Sequence, residues 1–187
     1  LLNPKWKGKI GVESRMKYFI FGTGYWGETW VMDYLKKLGR QEPSFVSGAT
    51  VIMTLLGAGE YAIAVGPYFH RTLDFQAKGI PVEWSQLGPI VDNLNPHAIM
   101  RYAPHPNAAK LFLHWWMSPE GSAYVDSKRH KGNPEPGSGT QTAKMLEQRG
   151  KQEIYVWFPW GDVDQMALEK KYHQAVGYSK EKEKTKK

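Results

Sequence analysis

Apolar positions in this chain fall into two rhythms, one returning every three to four residues and one made of short unbroken runs. The helical rhythm is densest between Ala103 and Gly121. There Ala108, Leu111, Phe112, Trp115 and Trp116 share one side of a helix, and Lys110 and His114 lie on the other. Pro106 suits the first helical turn, where a missing N–H costs nothing. Ser118-Pro119-Glu120 then closes this helix and opens another, with Ser118 as N-cap, Pro119 at the first helical position and Glu120 favourable to the dipole. Two Trp, a Phe and two Leu buried here would contribute about 10 kcal/mol gross, at 1.5–3 kcal/mol per large side chain. The pattern predicts a structural helix pair in a core.

The same reading runs along the rest of the chain. Lys9 to Glu13 alternates as a short strand, and Phe19 to Gly27, rich in aromatics and Gly, reads as a loop or short helix with a bend. Glu28 to Leu38 is a helix with Trp30, Val31, Tyr34, Leu35 and Leu38 on one face and Gly39 as its stop. Gln41-Glu42-Pro43 is a connector. Ser47 to Ala58 is the next helix, capped by Ser47, with Val51, Ile52, Leu55 and Leu56 as its buried stripe. Tyr61 to Val65 is a buried strand and Tyr68 to Ala77 a helix. Pro81 to Trp84 and Ala98 to Arg101 read as further strands, with a polar boundary at Ser85 to Pro96. Ser127 to Thr140 is a loop, Thr142 to Arg149 a helix, and Ile154 to Trp160 an apolar run. A last helix follows, with Asp162 or Asp164 near its start. Helices alternating with short apolar strands predict an α/β fold with crossover connections.

Composition narrows the function. The 187 residues contain no Cys, which excludes disulfides, thiolate catalysis and Cys-ligated metal centres. The formal charge of +7 is uneven: Lys180 to Lys187 carries a net +3 and is predicted to be a disordered basic tail. The remaining charge forms no basic cluster interleaved with aromatics, so no nucleic-acid partner is expected. No apolar run is long enough to span a membrane as a helix. The 8 Trp, 10 Tyr and 7 Phe favour a ligand-lined surface without specifying one.

Four segments in order carry a resemblance. They are Leu-Leu-Asn-Pro-Lys-Trp-Lys-Gly-Lys-Ile at the start, Leu-Leu-Gly-Ala-Gly-Glu-Tyr-Ala-Ile-Ala-Val, Lys-Gly-Ile-Pro-Val-Glu-Trp, and His-Pro-Asn-Ala-Ala-Lys-Leu-Phe with Ser-Pro-Glu-Gly. Together, over about residues 1–127, they resemble the extracellular solute-binding proteins of bacterial ABC importers, in the group that includes ferric-iron-binding proteins. The resemblance implies a periplasmic-binding-protein-like (type II) α/β fold of two hinged lobes, incomplete here. Residues 1–84 would be lobe 2, residues 85–178 the C-terminal part of lobe 1, and residues 179–187 the tail. Part of the apolar stripe after Pro106 would then face strands missing from the chain. The implied role is non-catalytic: capture of a small solute in the interlobe cleft, outside the cytoplasm, and delivery to an ABC permease.

The ligand edge of an α/β sheet lies at the carboxyl ends of its strands. Three places meet that description. Glu13-Ser14 ends the first strand. Ser47-Gly48-Ala49-Thr50 opens a helix with hydroxyls, free N–H groups and a Gly that permits close approach, which suits a carboxylate or phosphate; Ser47 as a plain N-cap is the simpler alternative. Gly66-Pro67-Tyr68-Phe69-His70 follows a buried strand. Iron-binding members of the resembled group carry adjacent tyrosines here, whereas this chain has Tyr68 followed by Phe69. Tyr68 and His70 are therefore metal candidates only if Fe³⁺ is the cargo, and no resident cofactor is expected. Tyr25 and Trp26, between glycines, are candidates for an aromatic wall or for simple burial. An enzyme using Glu13, Glu60 or His70 as acid or base is the alternative of another class, although nothing pairs these residues at short spacing.

Overall fold

A four-residue strand, β1 (Ile10–Glu13), buried along its whole length, organises the first part of the molecule. The computed structural model describes residues 1–85, 89–93, 97–134, 137–148, 153–157 and 164–184. β1 is flanked by β2 (Ser44–Val46) and β3 (Ile63–Val65), and β6 (Glu183–Lys184) pairs outside β2. The order is β3-β1-β2-β6 with every pairing parallel, Val12 standing opposite both Phe45 and Val65. A parallel sheet covered by crossover helices reads as unbroken apolar runs, as this one does. Gly11 leaves room for a ring: a Cβ there would lie 2.7 Å from Tyr61 Cδ2.

The crossover helices are α1 (Lys17–Trp26), α2 (Glu28–Gly39), α3 (Ala49–Gly57) and α4 (Phe69–Gln76), with α8 (Gln165–Val176) returning from the C-terminal part. The segment expected to be a loop or bent helix is α1, a continuous helix. Its glycines serve packing, since a Cβ on Gly22 would meet the Trp26 ring and one on Gly24 the Tyr155 hydroxyl. α2 buries Val31, Leu35 and Leu38 completely. Gly39 is its last residue, and a Cβ there would sit 2.7 Å from the Val176 carbonyl oxygen. Gly39 thus lets α8 approach α2 closely, a role distinct from the stop signal expected of it. One apolar cluster joins β1, Phe19 and Ile20 of α1, the α2 triad, Phe45, and Leu168, Tyr172 and Val176 of α8.

Several boundaries differ from the sequence reading. Gly48, at φ 96°, is the N-cap of α3, and Ser47 precedes it without capping. β2 falls between the expected connector at Gln41-Glu42-Pro43 and the expected helix, and its three residues carry too little pattern to register. Residues 81–84 are not a strand: Val82 N–H closes back on the Ile80 carbonyl at 2.8 Å, and Val82 packs beside Met53 and Phe75. Residues 98–101 are not a strand either, and the chain there turns through Ala103 N–H to Met100 O at 3.1 Å. Inside the expected boundary lies β4 (Ile90–Asn93), paired in parallel with β5 (Ile154–Trp157), Ile90 opposite Ile154.

These pairings set the division of the chain. One unit comprises Leu1–Asn93 and Ile154–Lys187, the other Leu94–Glu153. The second is thus inserted between β4 and β5, whereas the sequence division at residue 84 kept 85–178 together. The long-range strand pair and the packing of α8 on α2 place 154–178 with the first unit. The expected tail is also partly ordered, Lys180–Lys182 forming a 3-10 turn before β6, while residues 185–187 lie outside the described residues.

The second unit holds α5 (Pro106–Met117), α6 (Pro119–Arg129) and α7 (Gln141–Gln148). The helix junction forms as its sequence dictates. Ser118 Oγ accepts from Gly121 N–H at 3.2 Å and donates to the Trp115 carbonyl at 2.6 Å. Asp126, 2% exposed, anchors the start of α7 by accepting from Gln141 N–H and, at 2.9 Å, from the Thr142 hydroxyl. The expected burial of the α5 stripe does not occur. No residue of α5 is buried, and Leu111 and Phe112 are 71% and 52% exposed. Within this unit the described residues offer α5 no strand to pack on.

Candidate ligand-binding edge

β1, β2 and β3 run in the same direction, so their carboxyl ends and the helix starts that follow lie along one edge of the sheet. Glu13 pairs with Val46, and Val12 with Val65, which aligns the three exits. The edge therefore brings together Glu13 and Ser14 after β1, Ser47, Gly48 and Thr50 after β2, and Tyr68 with His70 after β3. This is where ligands sit in open α/β sheets.

Glu13 is 3% exposed, and a buried carboxylate is costly unless paired. Its partner is Arg15, whose Nε donates to Glu13 Oε1 at 2.5 Å. Gly66, at φ 97°, passes so close that a Cβ would lie 3.0 Å from Glu13 Cβ. The turn after β1 is fixed by Ser14 N–H donating to Val46 O at 3.0 Å and Met16 N–H to Glu13 O at 3.1 Å. Met16 takes the left-handed conformation at φ 54°, uncommon for a non-glycine residue. Burial alone would lower the Arg15 pKa, but the Glu13 hydrogen bond and the charges of Glu13, Tyr68 and Glu169 raise it on balance. Sequence reading passed over Arg15. The signal available was its place one residue beyond Ser14, at the exit of a buried strand.

The two helix starts on this edge share a feature. α3 and α4 have Gly48 and Tyr68 as N-caps, neither start has a side-chain cap, and no acidic residue lies in either first turn. The positive dipole ends of both starts favour an anionic group, although in α4 the Arg71 N–H already donates to the Tyr68 carbonyl at 2.9 Å. Ser47 and Thr50 are exposed beside the first of them. Tyr68 is 39% exposed and stacks on His70, ring centroids 5.4 Å apart and planes 14° apart. Phe69, where the iron-binding pattern has a second tyrosine, packs edge-on against Trp84 at 4.9 Å.

Tyr25 and Trp26 lie elsewhere, at the far end of α1 and about 13 Å along its axis from Lys17 at 1.5 Å per residue. Tyr25 meets Tyr155 edge-on at 5.5 Å; Trp26 stacks on Trp30 at 5.4 Å, and Trp30 on Tyr34 at 5.0 Å. Glu60 precedes β3 and so stands at the amino edge of the sheet, apart from Glu13 and His70. Among the described residues no three His, Asp or Glu side chains form a group that would hold a metal ion.

Comparison with solved structures places this geometry. The chain superposes with a TM-score of 0.66 and 15% identity on a crystal structure of the substrate binding protein of an ABC transporter from Agrobacterium tumefaciens, over 92% of its own length and 55% of that protein's. The fold is that of a substrate-binding protein. The chain spans about half the length of the protein it matches. No family model matches it, and neither does any curated protein.

Proposed function

We propose that this chain is the solute-binding component of an ABC importer, non-catalytic, holding a small solute at the carboxyl edge of β1, β2 and β3 for delivery to a membrane permease. The convergence of two uncapped helix starts with the Glu13–Arg15 pair on one edge carries the reading. A bare helix N-terminus favours negative charge, so the preferred solute has a carboxylate or phosphoryl group. Gly48 and the N–H groups after it would receive that group, Ser47 and Thr50 would add hydroxyl contacts, and Tyr68 would wall the solute. In this reading the protein works outside the cytoplasm, in keeping with the absence, among the described residues, of a helix long and apolar enough to cross a membrane.

A thermal-shift screen against inorganic phosphate, phosphonates, carboxylates, ferric iron, polyamines and sugars tests the proposal. An anionic solute is expected to raise Tm without being transformed, since a ligand that binds only the folded state stabilises it. A response to ferric iron abolished by Tyr68→Phe would make iron the cargo. Turnover of any bound compound would overturn the non-catalytic reading.

A further inference from the structure

The turn that carries Arg15 is held from outside the sheet. His173, on α8, places Nε2 at 2.5 Å from the Ser14 carbonyl oxygen, 159 positions away in sequence. A carbonyl only accepts, so Nε2 carries the proton and donates. The imidazole is confined on its other sides. Its ring stacks on Tyr178 at 4.0 Å and 24°, and Tyr178 meets Phe45 of β2 edge-on at 5.0 Å. Glu169, one helical turn earlier, stands 3.9 Å from the same nitrogen and also contributes to the charge around Arg15. The histidine side chain is 19% exposed.

Ser14 is thereby tied twice, through its N–H to β2 and through its carbonyl to α8. Released from His173, the Ser14–Met16 turn would keep its strand-side bonds and the bonds that the Met16 carbonyl accepts from Phe19 and Ile20 N–H of α1. It would lose its tie to α8, while Met16 holds an unfavourable left-handed backbone. The guanidinium of Arg15 hangs on that turn and reaches back to Glu13.

We propose that His173 is a positioning residue for the ligand-binding edge: its Nε2–H bond to Ser14 fixes the Ser14–Met16 turn and so aims Arg15. The inference rests on the proposed solute-binding role of that edge, and it makes α8 part of the binding apparatus although α8 contributes no ligand contact.

The test uses the 187-residue chain, with inorganic phosphate as probe. His173→Leu removes the donor; His173→Gln keeps an N–H near the Nε2 position. Amide exchange is expected to be about 3- to 10-fold faster at Ser14 and Met16 in His173→Leu, the range given by one net hydrogen bond, and to return towards the parent in His173→Gln. Phosphate affinity should fall and recover in the same pattern. Parent-like exchange in His173→Leu, or equal impairment in both variants, would overturn the inference and leave His173 as packing for Tyr178. Nitrogen NMR of the unaltered chain decides the matter independently of folding in the variants: neutral His173 should carry its proton on Nε2, and a proton on Nδ1 would sink the proposal. If the parent ignores phosphate and the other solutes while the exchange pattern holds, the solute-binding reading fails and the brace on the turn stands.

Discussion

α2 and α5 are both twelve-residue helices with a clear apolar face, yet they meet different fates. α2 buries Val31, Leu35 and Leu38 fully against the sheet, α1 and α8. α5 carries a heavier stripe, with two Trp and a Phe, yet has no fully buried residue, Trp115 and Trp116 being half-buried. The difference lies in the company each helix keeps. α2 comes between strands that pair and a returning helix that Gly39 admits closely, whereas α5 has α6 beside it and no strand among the described residues of its own unit. Amphipathicity states which face a helix would bury. It does not supply the surface to bury it on.

The sharpest way to break this contrast is to truncate one leucine on each helix. Leu35→Ala should cost about 2–5 kcal/mol, as large cavities in tight cores do, and Leu111→Ala should stay within about 0.5 kcal/mol, both by urea denaturation. Equal costs would mean that the α5 stripe is covered in solution. Next in size is the helix junction of the second unit. Gly121→Ala drives a methyl into the Trp115 carbonyl and should cost about 1–3 kcal/mol or more, detected as loss of helical signal at lower temperature.

Alkaline pH is expected to act on the first unit by degrees. Burial raises the phenol pKa of Tyr18 and Tyr34, the latter helped by Tyr18, and of Tyr172, where the Thr23 hydrogen bond opposes it. The neutral phenol is favoured in the folded state, so this stability is complete below the ordinary tyrosine pKa near 10 and is lost as pH rises through the raised values. A pH series of denaturation curves checks it, and flat stability through that range would refute it.

Two smaller effects complete the comparison. Ser118→Ala removes the cap of α6 and should cost about 1 kcal/mol by the same denaturation assay. Phe112→Glu should leave stability within about 0.5 kcal/mol while lowering the fluorescence of a bound hydrophobic dye such as ANS. Undiminished dye binding would move the exposed apolar surface away from α5.

The candidate edge was legible where local chemistry marks it. Glu13 closes the first strand, Ser14 follows it and Tyr68 follows β3, where apolar runs give way to Ser, Gly and Pro, whereas Gly48 was marked by the helix start alone. Arg15 escaped because nothing local distinguishes it from a surface arginine; its meaning comes from the buried Glu13 carboxylate. His173 was unreadable as part of the edge, because its bond to Ser14 spans nearly the whole chain. Tyr25 and Trp26, candidates for an aromatic wall or for simple burial, form a ladder with Tyr155, Trp30 and Tyr34, an arrangement set by where α1 ends.

The sequence alone determined what depends on neighbours a few residues apart: the alternation that makes the fold α/β, the Ser118 cap, an aspartate near the start of α8, and the apolar faces of α2 and α5. Tertiary structure alone decided the pairings that close over long loops. These are β4 with β5 around the inserted second unit, β6 on β2, and α8 against α2. Periodicity reports the energy a segment would gain by burial, and only the assembled chain decides whether a surface is there to receive it.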